Sequence, residues 1–219
     1  MYNKYIFINN NRKKLEENKQ ISFDMLENKI QGKNVSGKIK SDIIKNKNTI
    51  RFVDDYVLVD IETTGLSPIE DEIIEIGAIK VKNNLIVDTF NQLIKINRRL
   101  SPFITNLTGI TNEMLETGII PTKVYQEFIK FIGEDIIIGH NINFDLGFLS
   151  NKCKKYINYN LTNDYIDTLY IARKLIPNSI NYKLGTLAKL FNINYEGAHR
   201  GLKDVEITYE LYNNLRKLK

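Results

Sequence analysis

Val57-Leu58-Val59-Asp60-Ile61-Glu62-Thr63-Thr64-Gly65 carries an apolar run that ends in two carboxylates and passes at once into a turn of small residues. Residues two apart on a strand point to one face, so Asp60 and Glu62 project together from its C-terminal end. Like charges held that close repel, and burying either costs on the order of several kcal/mol unless something compensates. A divalent cation is the simplest compensation. A strand end that merely turns polar is the commoner origin of an isolated Asp-x-Glu, so the meaning of this stretch depends on what the rest of the chain supplies.

Outward from it, residues 56–62 are apolar on both faces until the acids, as a central strand requires. Ser67-Pro68 with Glu70-Asp71 marks a turn. Residues 72–81 and 85–96 form two more strands, with Asn83-Asn84 as the hairpin loop between them. Short turns between three successive strands predict an antiparallel beginning. Glu75 interrupts the second strand as a hydrogen-bonded structural residue, or as one that faces the site. The pattern then turns helical: a short segment after Ser101-Pro102, another over 112–116, and a helix from Pro121 to Gly133. Residues 135–140 form a short buried strand. Helices follow over 143–155, 165–176, 183–191 and 202–218. The fold class this predicts is α/β: a mixed sheet of three antiparallel strands with parallel additions, flanked by helices.

Composition narrows the setting. The 219 residues are 42% hydrophobic and 26% charged, ordinary for a globular chain. No apolar run approaches the roughly 18 residues that span a membrane. The first ten residues are too short and too polar for a signal peptide, so the expectation is cytoplasmic. The single cysteine, Cys153, excludes an internal disulfide and a multi-cysteine zinc site. Of the +5 net charge, residues 1–50 hold +6 and the remainder −1. Those first 50 residues lack strong periodicity and read as a basic, partly helical or mobile extension, suited to a polyanion or simply solvated. The domain proper spans 51–219.

Two further acids stand at predicted helix starts, where the helix dipole favours a carboxylate. Asp145 lies in His140-Asn141-Ile142-Asn143-Phe144-Asp145, with Phe144 and Phe148 one turn apart. Asp204 lies in His199-Arg200-Gly201-Leu202-Lys203-Asp204. Five residues of helix turn through about 500°, so His199 does not share a face with Asp204 and belongs to the preceding loop, with Gly197 and Gly201 giving that loop freedom. A loop histidine beside a metal site is a candidate general base. Each part alone is ordinary; four carboxylates on one strand end and two helix starts, with one loop histidine, form a specific joint pattern.

On these motifs the chain resembles the DnaQ-like (DEDDh) 3′–5′ exonucleases, which include the epsilon proofreading subunit of bacterial DNA polymerase III. The resemblance runs over about residues 51–217 and extends to Ile73-Ile74-Glu75-Ile76-Gly77-Ala78, Leu107-Thr108-Gly109-Ile110-Thr111 and Asp167-Thr168-Leu169. Gly201 stands where the family more often has alanine. What the resemblance implies is a ribonuclease H-like fold and two divalent ions, Mg²⁺ or Mn²⁺. Asp60, Glu62, Asp145 and Asp204 would be their ligands, Asp145 directly or through water, and His199 the base that deprotonates water. The implied reaction removes nucleoside 5′-monophosphates from single-stranded DNA 3′ ends, in proofreading or repair, with a DNA polymerase as a candidate partner. An RNA or oligoribonucleotide exonuclease stays open, as does a non-catalytic nucleic-acid-binding module associated with a polymerase. Candidate substrate contacts are Thr63, Gly65 and Leu66 in the turn, with Leu66 as a wedge against the terminal base, then Thr108, His140, Asn141 and Phe144. Arg200 and Lys203 are candidate phosphate contacts.

Overall fold

The computed structural model describes residues 50–219. The extension read over residues 1–50 therefore lies, but for Ile50, outside the described residues. Five strands form one sheet in the order β3-β2-β1-β4-β5. They are β1 (Tyr56–Thr63), β2 (Ile73–Lys82), β3 (Leu85–Leu93), β4 (Ile137–Gly139) and β5 (Tyr165–Asp167). β1, β2 and β3 pair antiparallel, while β4 joins β1 and β5 joins β4 in parallel. The predicted mixed sheet is thus the observed one. Asn83 and Asn84 carry φ of 50° and 62° between the paired residues Lys82 and Leu85, the left-handed geometry a two-residue hairpin loop needs.

Seven helices follow among the described residues: α1 (Pro102–Thr108), α2 (Asn112–Glu116), α3 (Pro121–Ile132), α4 (Asn143–Ile157), α5 (Thr168–Leu175), α6 (Leu184–Leu190) and α7 (Gly201–Lys217). Alternation along β1 decides which layer each residue joins. Val57, Val59 and Ile61 face α3 and α4, against Tyr125, Phe128 and Phe148. Tyr56 and Leu58 face the other way, onto α5, α6 and α7, against Ile171, Leu187 and Leu211. The same alternation puts Asp60 and Glu62 on the α7 side, where the apolar pattern gives out. Cys153 is buried in the first layer, which pushes its thiol up to about 12. No described helix is long and apolar enough to cross a membrane.

Two expectations need correction. The helix read over 165–176 begins with a strand: Tyr165, Ile166 and Asp167 pair with Ile137, Ile138 and Gly139, and only then does α5 start. Three residues are too few for a period to show. Gly201, read as freeing the loop, is the first residue of α7 and provides close approach instead. An alanine methyl at Gly77 would stand 2.2 Å from the Gly201 carbonyl carbon and 2.3 Å from Leu202 N. A methyl at Gly201 would stand 2.9 Å from Gly77 N. The helix thus rests backbone to backbone on β2, which brings Asp204 down onto the sheet. Gly77→Ala is expected to cost at least about 1–3 kcal/mol, as for overpacking generally, because only a shift of α7 relieves the clash. Chemical denaturation measures the loss, and a divalent-ion titration should show weakened binding in the same variant.

Candidate active site

β1 runs past the end of its parallel neighbour. β4 pairs with it only at Val57 and Leu58, so the Ile61 N–H has no ladder acceptor on that side. Asp145 supplies one: its Oδ1 accepts from Ile61 N at 3.1 Å. The chain reaches that position by turning sharply at Asn141, whose φ is 60° and whose N–H donates to Asp167 Oδ1 at 2.9 Å. Asp167 also caps α5 through Leu169 N. On the other side, the β1–β2 register slips between Glu62 and Thr63. Such an irregularity ends pairing and re-aims the strand, here just beyond the acids.

Asp60, Glu62 and Asp204 each offer an oxygen, and the three oxygens lie within 4.8 Å of one another. Asp204 Oδ2 accepts from the His199 N–H at 2.9 Å, whereas Asp204 Oδ1 is buried and accepts no hydrogen bond from any described residue. Asp145 is not one of these three, though its charge acts on Asp60, and one of its oxygens is engaged by β1. Burial, and then the neighbouring carboxylates, drive the Asp60 and Glu62 carboxyls well above the ordinary range. Burial likewise raises Asp145 to about 8, and Asp204 to about 6 against the opposing pull of the His199 N–H. Mutually repelling carboxylates and a bare buried oxygen are what a hard divalent cation, with its preference for oxygen ligands, would satisfy. The donor set fits.

A carboxyl whose folded pKa lies above its unfolded value stabilises the fold while protonated. That contribution is complete below about 3.8 and is lost as pH rises through about 6 for Asp204 and about 8 for Asp145. In chelator, the melting temperature should therefore fall across that window. Added Mg²⁺ or Mn²⁺ should flatten the fall, since ligands bind deprotonated. Thermal unfolding from about pH 5 to 8 in both conditions checks it, and a melting temperature that climbs with pH in chelator would contradict the assignment.

Glu75 proves structural. It pairs across from Glu62, is 1% exposed, and accepts from Arg200 Nη2 at 2.7 Å, Arg200 Nε at 3.1 Å and Gly201 N at 2.9 Å. Arg200, read as a candidate phosphate contact, thus spends its guanidinium on clasping the start of α7 to β2. A second clasp shapes the turn after the acids. Asp71 accepts from Ser67 N and Thr64 Oγ1, and Arg98 Nη2 reaches both Thr64 Oγ1 and Asp71 Oδ1. Gly65 lies so close that an alanine methyl would stand 2.4 Å from Asp71 Oδ2. Thr63 Oγ1 donates to Gly65 O at 2.6 Å, and Leu66 is partly exposed beside it. Glu72 ties this turn to α4 through Lys155 Nζ at 2.8 Å and the fully buried Lys152 Nζ at 3.4 Å. Sequence reasoning missed Arg98, Lys152 and the Glu75–Arg200 pairing, because a bare Arg or Lys carries no local signature of its partner.

The remaining candidates divide. Phe144 is partly buried against Phe148, with ring centroids 5.0 Å apart. Thr108 is 3% exposed, and its hydroxyl is used within its own turn, donating to Ile104 O and accepting from Ile110 N. Both ring nitrogens of His140 are engaged by the fold: Nε2 donates to Tyr182 O at 2.8 Å, and Nδ1 meets Thr168 Oγ1 at 2.9 Å. Burial pushes His140 down to about 4, so it stays neutral. The Thr108 hydroxyl and the His140 ring are both hydrogen-bonded within the framework. His199 lies on an exposed loop with φ of 68°, just before α7.

Known proteins resemble this chain in sequence and in fold. The family model described as exonuclease matches residues 57–212. The chain is 42% identical over 163 residues to the PolC-type DNA polymerase III of Bacillus subtilis, which covers 74% of this chain and 11% of that polymerase. It therefore spans only about a ninth of the length of that relative. Exonuclease X, solved in complex with 5′ overhanging duplex DNA, superposes with a TM-score of 0.61 at 26% identity over 74% of this chain and 91% of its own. Exonuclease I of E. coli, solved with zinc and single-stranded DNA, gives 0.66 at 21% identity over 75% and 40%, a likeness of fold alone. The order of the acids, the ribonuclease H-like sheet that gathers them and the family match point one way: the chain belongs to the exonuclease family, among the DnaQ-like (DEDDh) 3′–5′ exonucleases, a family that uses divalent metals.

Proposed function

We propose that this chain hydrolyses the terminal phosphodiester at the 3′ end of single-stranded DNA, releases a nucleoside 5′-monophosphate, and serves the proofreading of a PolC-type polymerase in the cytoplasm. The observation that carries the reading is the convergence of Asp60, Glu62 and Asp204 within 4.8 Å, with Asp204 Oδ1 lacking any described donor. The relatedness to PolC-type polymerases favours DNA and a polymerase partner.

Asp60, Glu62 and Asp204 would hold two divalent ions, Mg²⁺ or Mn²⁺, with Asp145 binding directly or through water. When bound, such ions stabilise the attacking and leaving oxygens of an in-line displacement. His199 takes a proton from the attacking water at a ring nitrogen. The water oxygen bonds to phosphorus, the bond from phosphorus to the penultimate O3′ breaks, and that oxygen leaves and takes a proton from solvent to become the new 3′-hydroxyl. The turn from Thr63 to Leu66, braced by Asp71 and Arg98, holds the terminal nucleotide, with Leu66 against its base and Asn141 and Phe144 flanking it. Incubation of a 5′-labelled single strand with Mg²⁺, then with chelator, tests this. A ladder shortening one nucleotide at a time from the 3′ end, abolished by chelator, is expected. Binding without shortening would replace the enzyme with a binding module, and faster loss of RNA than of DNA would replace the substrate.

A further inference from the structure

His199 sits in a conformation that needs support. Its φ of 68° follows Gly197 at 81°. The left-handed region costs a residue other than glycine on the order of 1–2 kcal/mol, and such positions persist only where their surroundings hold them. Its backbone N–H donates to Asp204 Oδ2 at 2.9 Å. That bond places Cα but does not by itself select among the staggered rotamers about χ1.

A second contact acts on the ring itself. Tyr195 packs edge-on to the His199 imidazole, with centroids 6.4 Å apart and ring planes at 85°. Its own ring lies on α6 at Gly185. An alanine methyl there would stand 3.0 Å from Tyr195 Cζ, 3.2 Å from Cε1 and 3.3 Å from Oη, so the missing side chain makes the seat. The seat is anchored in turn. Asn181 Oδ1 accepts from Lys183 N just before α6, and the neighbouring Tyr182 carbonyl accepts from His140 Nε2 at the end of β4. A continuous path thus runs from the sheet through His140, Tyr182 and α6 to Tyr195, and ends on the imidazole.

We infer that Tyr195, seated on Gly185, is a positioning residue that holds the His199 imidazole towards the reacting water. The inference rests on the reading of His199 as the general base. Tyr195 is 36% exposed, so shortening it empties no core. Tyr195→Ala should lower kcat about 10–100-fold, the usual cost of losing a group that orients a reacting one. KM and the thermal stabilisation by Mn²⁺ should not change, because no metal ligand is touched. Tyr195→Phe keeps the ring and should restore kcat. Gly185→Ala displaces the ring by a few tenths of an ångström and should lower kcat in the same sense but by less.

The decisive measurement is a double-mutant cycle on a single-stranded substrate, with melting temperatures recorded for each variant. In the His199→Ala background, Tyr195→Ala should cost nothing further, because groups acting as one unit are not additive. A parental kcat in Tyr195→Ala, or the same fold-loss in both backgrounds, overturns the inference and leaves His199 as the base. An unimpaired His199→Ala overturns both.

Discussion

Asp60→Asn should lose more than about 100-fold in turnover, beyond the roughly 10–100-fold cost of removing a partner that only supports a metal ligand. It should also melt higher than the parent protein in chelator. The two effects share one cause. Asp60 is pressed by burial and by Asp145, Asp204 and Glu62, so its charge opposes the fold unless a cation offsets it. Asparagine keeps the shape and removes the charge. The variant should accordingly gain less stability from Mn²⁺ than the parent. Steady-state turnover on a labelled strand and paired melting curves, with and without metal, give both numbers. Full metal-dependent activity in a folded Asp60→Asn protein would remove Asp60 from the site. An unchanged melting temperature in chelator would mean that the repulsion is relieved in some other way.

His199→Ala is expected to cost about 10²–10⁴ in kcat, the range for loss of a general base, with KM and metal stabilisation retained. The retention follows from the contact that His199 makes with the trio of Asp60, Glu62 and Asp204. That contact is a backbone N–H on Asp204 Oδ2, which alanine preserves. Loss confined to kcat would separate the imidazole from the ligands. A change of less than about threefold, far short of that range, would argue that the ring merely lies nearby.

Why some of this was legible in the chain and some was not can be seen residue by residue. Period-two alternation placed Asp60 and Glu62 on one face, and the register with β2 repeats that placement. The Asn83-Asn84 loop and the helix starts at Asp145 and Asp204 were local patterns within one or two turns of chain. β5 escaped because three residues show no period. His140 was read as a substrate contact on its neighbourhood in sequence, yet its ring is taken up by Thr168 and by Tyr182, 28 and 42 residues away. Gly201 was read as loop freedom because a glycine's sequence does not say whether it serves a bend or a close approach.

The sequence by itself determined the layered sheet, the order of the four acids and the loop that bears the histidine, because strand and helix periods and turn residues act over a few positions. Only the tertiary structure decided which oxygens meet. Asp145 faces β1 because β4 ends early and leaves the Ile61 N–H to be satisfied 84 residues away. Asp204 reaches Asp60 and Glu62 because two glycines let α7 lie on β2, and because Arg200 closes on Glu75 across 125 residues. Those juxtapositions follow from packing density and the need to pair buried polar groups, which depend on all the neighbours at once and on no single stretch of chain.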